Sequence, residues 1–223
     1  YYYIIYMGKS LKQTKKKQKN LTYTYLKSLA IGNEDFFVDV GAHNGVSISN
    51  SYKFIKNGWR AISIEPNPHI FKDLKKNLDE YKDNVKFVKI AVSDKKGKTK
   101  FYFDKKGFLP NRKKGSRSHK LKGMRSTIQP QLFHEMSKNY IIVNVDTLTN
   151  ILNKYNVPKN ISILSIDTEG MDYEVLKGLD FSKYKPSIIV TEDYKKTKDI
   201  KYNFLRKMGY KHINQFGIDS VWK

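Results

Sequence analysis

The sequence predicts a doubly wound α/β fold on a mostly parallel sheet, and three observations carry that prediction. Short apolar runs recur at residues 36–40, 59–65, 85–92, 161–166 and 187–190. Helical patterns alternate with them, and the runs end in acidic or glycine-containing turns. In such a sheet, ligands sit beyond the carboxyl ends of the strands. Asp39, Glu65, Asp167, Glu169 and Glu192 all fall at such ends.

The elements follow in order. Residues 1–35 read as a basic N-terminal extension and residues 36–223 as the main domain. Within 8–33, seven lysines surround the sparse apolar points Leu11, Leu21, Tyr25 and Leu29, a pattern for a basic segment leading into a short helix that packs by its later half. Its charge serves either a solvated face or a phosphate-binding arm. After the run 36–40, residues 46–57 predict a helix closed by Gly58. Residues 59–65 form the second strand. Asn67-Pro68 then opens a helix that reaches about Tyr81, with Ile70, Phe71, Leu74 and Leu78 on one face. Residues 85–92 are the third strand, and 98–103 alternate as an extra one.

From Lys105 to Arg125 there are nine Lys or Arg and no acid, with Gly107, Pro110, Gly115 and Gly123 interrupting any regular element. A stretch of this length reads as a functional or a disordered loop. Lys113, Lys114, Arg117 and Arg125 are its candidate contacts to an anionic substrate. Residues 141–145 predict a strand, and 146–155 a helix beginning at Asp146-Thr147-Leu148. The buried run 161–166 ends in Asp167-Thr168-Glu169-Gly170 and leads into a helix at 173–177. A further strand at 187–190 ends in Thr191-Glu192-Asp193, a helix spans 200–208, and 210–213 with 220–222 form a hairpin through Gly217.

Composition narrows the class. With 223 residues the chain is long enough for one well-buried α/β domain. It holds 43 Lys+Arg against 21 Asp+Glu, a formal charge of +22, and that excess favours an acidic partner such as nucleic acid, a phosphorylated substrate or an anionic surface. The absence of Cys excludes disulfides and thiolate metal sites. No stretch approaches the roughly 18 apolar residues of a membrane span, and residues 1–7 lack the flanks of a signal peptide. The expectation is a cytoplasmic protein, with Met7 a candidate natural start. The oligomeric state is open.

The turn at Gly41-Ala42-His43-Asn44-Gly45 holds the chemistry. A strand feeding two glycines and then a helix lets backbone approach a nucleotide-like ligand. The order lacks the middle glycine of a dinucleotide fingerprint. A phosphate loop is excluded, because the one Gly-Lys-Ser, at Gly8, has Tyr3 where the first glycine belongs. Asp39-x-Gly41-x-x-x-Gly45, with Glu65 closing the next strand, instead resembles the first motif of the class I S-adenosylmethionine-dependent methyltransferases. A carboxylate at the second strand end accepts hydrogen bonds from ribose hydroxyls. The cofactor contacts on this reading are Asp39, Gly41, Ala42, Asn44, Gly45, Glu65 and Pro66.

Further blocks extend the likeness. Residues 37–45, Ile64-Glu65-Pro66-Asn67-Pro68, Ile90-Ala91-Val92-Ser93-Asp94, and Leu164-Ser165-Ile166-Asp167-Thr168-Glu169-Gly170 followed by Val175-Leu176-Lys177-Gly178 resemble the FkbM family of methyltransferases. The resemblance implies a Rossmann-like class I methyltransferase fold with a final antiparallel strand, S-adenosylmethionine as donor, and an O-methyl product on a sugar, nucleotide-sugar or other small hydroxylated acceptor. Ser93-Asp94, at the end of the third strand, either meets the adenine edge of the cofactor or simply closes a turn, and Asp167 is expected near the methyl group as base, with Glu169, Glu192 and His43 as second candidates. Asp167, Glu169 and Glu192 also form an oxygen set suited to Mg²⁺. For Asp167 and Glu169, helix capping and first-turn charge are the plainer alternative. His69, His119, His134 and His212 are scattered and read as structural or solvated.

Two other functions compete. A ribose methyltransferase on RNA would use the basic arm and loop for phosphates, but its Lys-Asp-Lys-Glu set finds only Lys27, Asp167 and Lys195, with Asp219 in place of the glutamate. An inactive nucleic-acid-binding protein on the same scaffold is the other, and the retained Asp39, glycines and Glu65 weigh against it.

Overall fold

A computed structural model describes residues 22–30, 34–47, 49–103, 126–128, 140–193 and 197–223. The chain order is α1 (22–29), β1 (Phe36–Val40), α2 (Tyr52–Lys56), β2 (Arg60–Ile64), α3 (Pro68–Asn77), β3 (Val85–Val88), β4 (Ala91–Ser93), β5 (Gly97–Phe103), β6 (Ser126–Thr127) and β7 (Tyr140–Thr147). It continues with α4 (Leu148–Lys154), β8 (Ile163–Ile166), α5 (Asp172–Lys177), β9 (Ile188–Glu192), α6 (Lys198–Lys207), β10 (His212–Phe216) and β11 (Asp219–Trp222).

The apolar runs become central strands because both of their faces are covered. Every residue of β1 is buried, as is every residue of β8. The seven-stranded sheet has the order β10-β11-β9-β8-β1-β2-β3. β3, β2, β1, β8 and β9 run parallel, with Val38 opposite both Ile62 and Leu164. β11 is antiparallel to β9 and to β10, so the expected antiparallel close is present.

Alternation along β1 assigns its side chains to two cores. Val38 and Val40 join Leu152, Leu176, Leu205 and Trp222 on the face covered by α4, α5 and α6. Phe37 joins Leu26, Phe54, Trp59 and Leu74 on the face covered by α1, α2 and α3. There the Phe54 ring meets Tyr23, Phe37 and Trp59 with centroids 4.6–5.3 Å apart. α3 starts where expected, Pro68 at its first position and the Asn67 side chain accepting the His69 and Ile70 amides. A single 3₁₀ turn, Asp79–Tyr81, completes the predicted length.

Two expectations need correction. The helix predicted over 46–57 is reduced to α2, because polar side chains compete for its backbone. Asn44 Oδ1 accepts the Val46 and Ser47 amides, and Ser49 Oγ accepts those of Ser51 and Tyr52. The run 85–92 is two strands: β3 stays in the main sheet, while β4 leaves it after Lys89 and Ile90. The strands foreseen near 98–103 and 141–145 are present as β5 and β7, outside the main sheet. They form a second, four-stranded sheet of order β4-β7-β5-β6, whose buried face carries Ala91, Phe101, Val143 and Val145. The basic stretch 105–125, the arm before residue 22 and Lys195 lie outside the described residues.

Candidate active site

In the main sheet the chain adds strands outward from β1 to β3, then crosses back to place β8 on the other side of β1. Loops leaving β1 and β8 therefore diverge, and a crevice opens between their carboxyl ends. It has about 920 Å³ of space, open mouth included. Asp39, Ser165 and Asp167 lie at its base, and Gly41, Ala42 and His43 form one edge. Glu65 and Pro66 close one end. Ala91, Val92, Phe101, Thr127 and Ile128 from the second sheet supply an apolar wall.

The glycine turn is fixed by backbone geometry. The Gly41 and Ala42 amides both donate to the Ile64 carbonyl, at 2.9 and 3.0 Å. Gly41 has φ +84°, and a Cβ there would stand 1.9 Å from the Asp167 carbonyl oxygen. Only glycine lets the β1 turn cross the β8 end this closely. Gly45 has another role. It does not line the cleft, and a Cβ on it would strike Leu74 and Leu78 of the α3 segment at 2.6 and 2.8 Å. Asn44 likewise lies off the cleft and shapes the turn.

Glu65 is 7% exposed, and its two oxygens accept the Asn67 amide at 2.8 Å and the His43 amide at 3.1 Å. Burial outweighs those two bonds and pushes its carboxyl up to about 7, with the Asp39 charge adding to the rise. Each oxygen keeps a lone pair for a further donor. Asp39 is also buried and accepts the Ser51 hydroxyl at 2.5 Å. Asn50 reaches Ser165 Oγ at 3.2 Å across the cleft base.

Asp167 follows β8 directly, its amide donating to the Val40 carbonyl at 2.9 Å. Burial holds its carboxyl well above the ordinary carboxylate range, and the charges of Glu192, Glu169, Asp172 and Asp219 add to that. Glu169, at φ +52°, and Gly170 turn the chain back towards α5, and Glu169 lines the cleft beside Asp167. Glu192 does not line it, although its charge is felt by Asp167.

A support unforeseen from the sequence lies beneath this loop. Asp172 is buried; one oxygen accepts the Thr168 amide and hydroxyl, at 3.2 and 2.7 Å, and the other accepts the Glu192 amide at 2.8 Å. One carboxylate thus joins the loops after β8 and β9. Lys201 of α6, fully buried, faces it. Its ammonium lies 4.0 Å from Asp172 and 3.2 Å from Asp193, and donates to the Glu192 carbonyl. The available signal was Lys201 sharing a helix face with Leu205 and Met208.

Ser93 and Asp94 are placed away from the cleft. Lys177 bonds Asp94 at 2.5 Å and holds its carboxyl below the usual range, which joins the end of β4 to α5. Ala91 and Val92 take the cleft wall instead. Among the described residues, no group of three or more His, Cys, Asp and Glu is placed to hold a metal ion, so the Mg²⁺ expectation gains no support. Lys113, Lys114, Arg117 and Arg125 lie outside those residues.

The chemical character of the cleft is clear. Asp39, Glu65, Asp167 and Glu169 line it, and among the described lining residues there is no Lys or Arg. In a chain of charge +22 this acid-lined cleft without a described base suits a cationic ligand, the more so as its raised carboxyls ionise.

Comparisons with known proteins follow this geometry. A family model described as the methyltransferase FkbM domain matches residues 39–212. Among solved structures, the methyltransferase FkbM from Methylobacillus flagellatus KT is similar at TM-score 0.50 and 16% identity, over 83% of this chain and 42% of that one. The present chain thus spans about two fifths of that protein. Precorrin-6y C5,15-methyltransferase from Geobacter metallireducens GS-15 aligns at TM-score 0.46 and 17% identity, over 92% and 84% of the two chains. An RNA methyltransferase from Salinibacter ruber, in complex with S-adenosyl-L-homocysteine, aligns at 0.39 and 15%, over 90% and 86%. No curated protein matches.

Proposed function

The chain belongs to the FkbM methyltransferase family, and from that premise we propose that it is an S-adenosylmethionine-dependent methyltransferase acting on a hydroxyl of a sugar or other small, uncharged acceptor. The observation that carries this reading is the cleft itself, acid-lined and without a described cation, with Asp167 at its base. When bound, S-adenosylmethionine supplies a methyl group on a positively charged sulfur. The residues present fit it: Glu65 retains lone pairs for the ribose hydroxyls, and the crossing at Gly41 leaves the turn free of side chain beside Asp167.

Asp167 would hold the acceptor hydroxyl and take up its proton, and the methyl group would pass to that oxygen as its bond to the cofactor sulfur breaks, leaving S-adenosylhomocysteine. Burial raises this carboxyl, so its ionised form is the stronger base for that proton and the step is favoured as pH rises. Glu169, next to it on the rim, accepts a hydrogen bond from a second acceptor hydroxyl and sets its orientation. The wall formed by Phe101 and Ile128 covers the apolar face of the ring. His43 contributes through its backbone, which orients Glu65.

The test begins with calorimetric titration of S-adenosylmethionine and S-adenosylhomocysteine, then transfer of labelled methyl groups to neutral sugars, sugar phosphates, nucleotide sugars and short RNA. Neutral sugars are expected to accept. Asp167→Asn should retain cofactor affinity within about threefold and lose turnover by about 100-fold or more. Near-normal turnover in the folded variant removes Asp167 as the base.

A ribose hydroxyl of RNA is the second acceptor class. The stretch of nine cations from Lys105 to Arg125 lies between β5 and β6, strands that contribute Phe101 and Thr127 to the cleft wall. Methyl transfer to RNA but not to free sugars would put this class first.

A further inference from the structure

We propose that the outer face of the second sheet docks a single-stranded nucleic acid, with bases stacked on Tyr102 and Tyr140 and phosphates held by Lys98 and Lys100. This goes beyond methyl transfer and uses a surface on the opposite side of β5 from the cleft.

The two central strands of that sheet alternate strictly. Phe101, Val143 and Val145 point inward and are buried. Lys98, Lys100 and Tyr102 of β5 therefore point outward beside Asn144, Ile142 and Tyr140 of β7, their respective register partners. A sheet face open to water ordinarily carries polar side chains. Here Tyr140 is 47% exposed and Ile142 is 58% exposed.

The rings of Tyr102 and Tyr140 stand 5.7 Å apart, and the Lys100 ammonium lies 4.5 Å from the Tyr140 centroid. Aromatic rings interleaved with cations are what a nucleic-acid strand without a fixed sequence requires. Each base offers a π face, and each phosphate a charge. The next carboxylate along β7, Asp146, already accepts the Thr147 amide and the Asn150 side-chain amide, both at 2.8 Å. A second copy of this chain fits the face less well, because Lys98 and Lys100 would meet themselves across a two-fold axis. An acidic sugar polymer satisfies the lysines but gains no base stacking.

The experiment measures fluorescence anisotropy of a labelled oligouridine of about ten nucleotides with the full chain, using inorganic polyphosphate as a competitor that has charge without bases. Tyr102→Ala and Tyr140→Ala should each weaken oligouridine binding about tenfold, while polyphosphate affinity and S-adenosylmethionine affinity stay as in the wild type. Lys98→Gln and Lys100→Gln should each lower the slope of log affinity against log salt by about 0.7. Unchanged oligouridine affinity in the double tyrosine variant overturns the proposal and leaves only attraction to lysine-rich stretches elsewhere. Equal weakening of oligouridine and polyphosphate overturns the stacking role. A concentration-dependent dimer abolished by Tyr140→Ala, with oligouridine binding unchanged, assigns the face to a second copy instead. Failure of the wild type to bind S-adenosylmethionine would strike the methyl-transfer reading and leave this test untouched.

Discussion

Glu65 is a carboxyl whose burial costs stability once it ionises, and its proposed cofactor role needs that ionised form. Its carboxyl sits at about 7 in the folded chain against an ordinary value of 4.5, so the folded state holds a proton that the unfolded state releases. For an acid raised on folding, stability is greatest at low pH and declines as pH climbs from the unfolded value through the folded one. Glu65→Gln cannot release that proton. Its stability relative to the wild type should rise by up to about 3 kcal/mol between about pH 4 and about pH 8, a slope that chemical denaturation at several pH values would expose. A flat difference would mean that Glu65 is ionised throughout. On the proposed role of Glu65 the same titration governs cofactor binding, because an ionised carboxylate is the better acceptor for ribose hydroxyls. Wild-type affinity for S-adenosylmethionine should therefore rise with pH through about 7, whereas that of Glu65→Gln should be weak and level. Gly41 sets a stricter limit: Gly41→Ala would place a methyl group 1.9 Å from a backbone oxygen at φ +84°, and should cost about 3 kcal/mol or more, or prevent folding.

At the scale of elements, the site rests on the way α5 and α6 hold the ends of β8 and β9. Asp172 joins the two loops, and the Lys201 ammonium meets Asp172, Asp193 and the Glu192 carbonyl in a region without solvent access. Removing one partner of such a buried set leaves uncompensated charge. Lys201→Met should destabilise by about 3–5 kcal/mol, and adding Asp193→Asn should restore part of that loss; additive losses in denaturant melts would show that the pair is not coupled. Little of this was legible in the sequence, where only the shared helix face of Lys201, Leu205 and Met208 set that lysine apart from the many others. What was legible follows from burial on two faces. β1, β2, β8 and β9 are covered on both faces and therefore mostly apolar, so the runs and their acidic ends stood out, and Asp39, Glu65 and Asp167, picked by position, line one cleft. The rest depended on competition that a periodicity does not record. Asn44 and Ser49 take backbone amides that a helix over 46–57 would need, and the chain leaves the main sheet at Lys89 to begin a second one. Asp94 meets Lys177 rather than the cleft because α5 brings that lysine within 2.5 Å.

At the scale of the whole molecule, the charge distribution predicts two salt effects of opposite sign. The chain carries +22 overall, while the described cleft lining holds four carboxylates and no Lys or Arg. Repulsion among the surplus cations opposes the compact state, and exposed ion pairs such as Arg60–Glu34, at 3.3 Å, offset little of it because each contributes about 0–1 kcal/mol. Raising the salt from about 0.01 M to about 0.3 M shortens the screening length from about 30 Å to below about 10 Å, so the repulsion between distant lysines fades first. The melting temperature should rise over that range. Binding of a sulfonium cation to an acid-lined cleft is an attraction of opposite charges, and the same salt should weaken it modestly. Thermal melts and calorimetric titrations along one salt series measure both. A melting temperature that falls with salt would mean that attractive pairs outweigh the surplus. A cofactor affinity that rises with salt would mean that the field at the cleft is set by the surrounding lysines rather than by Asp39, Glu65, Asp167 and Glu169, and the proposal of an uncharged acceptor would lose its electrostatic basis.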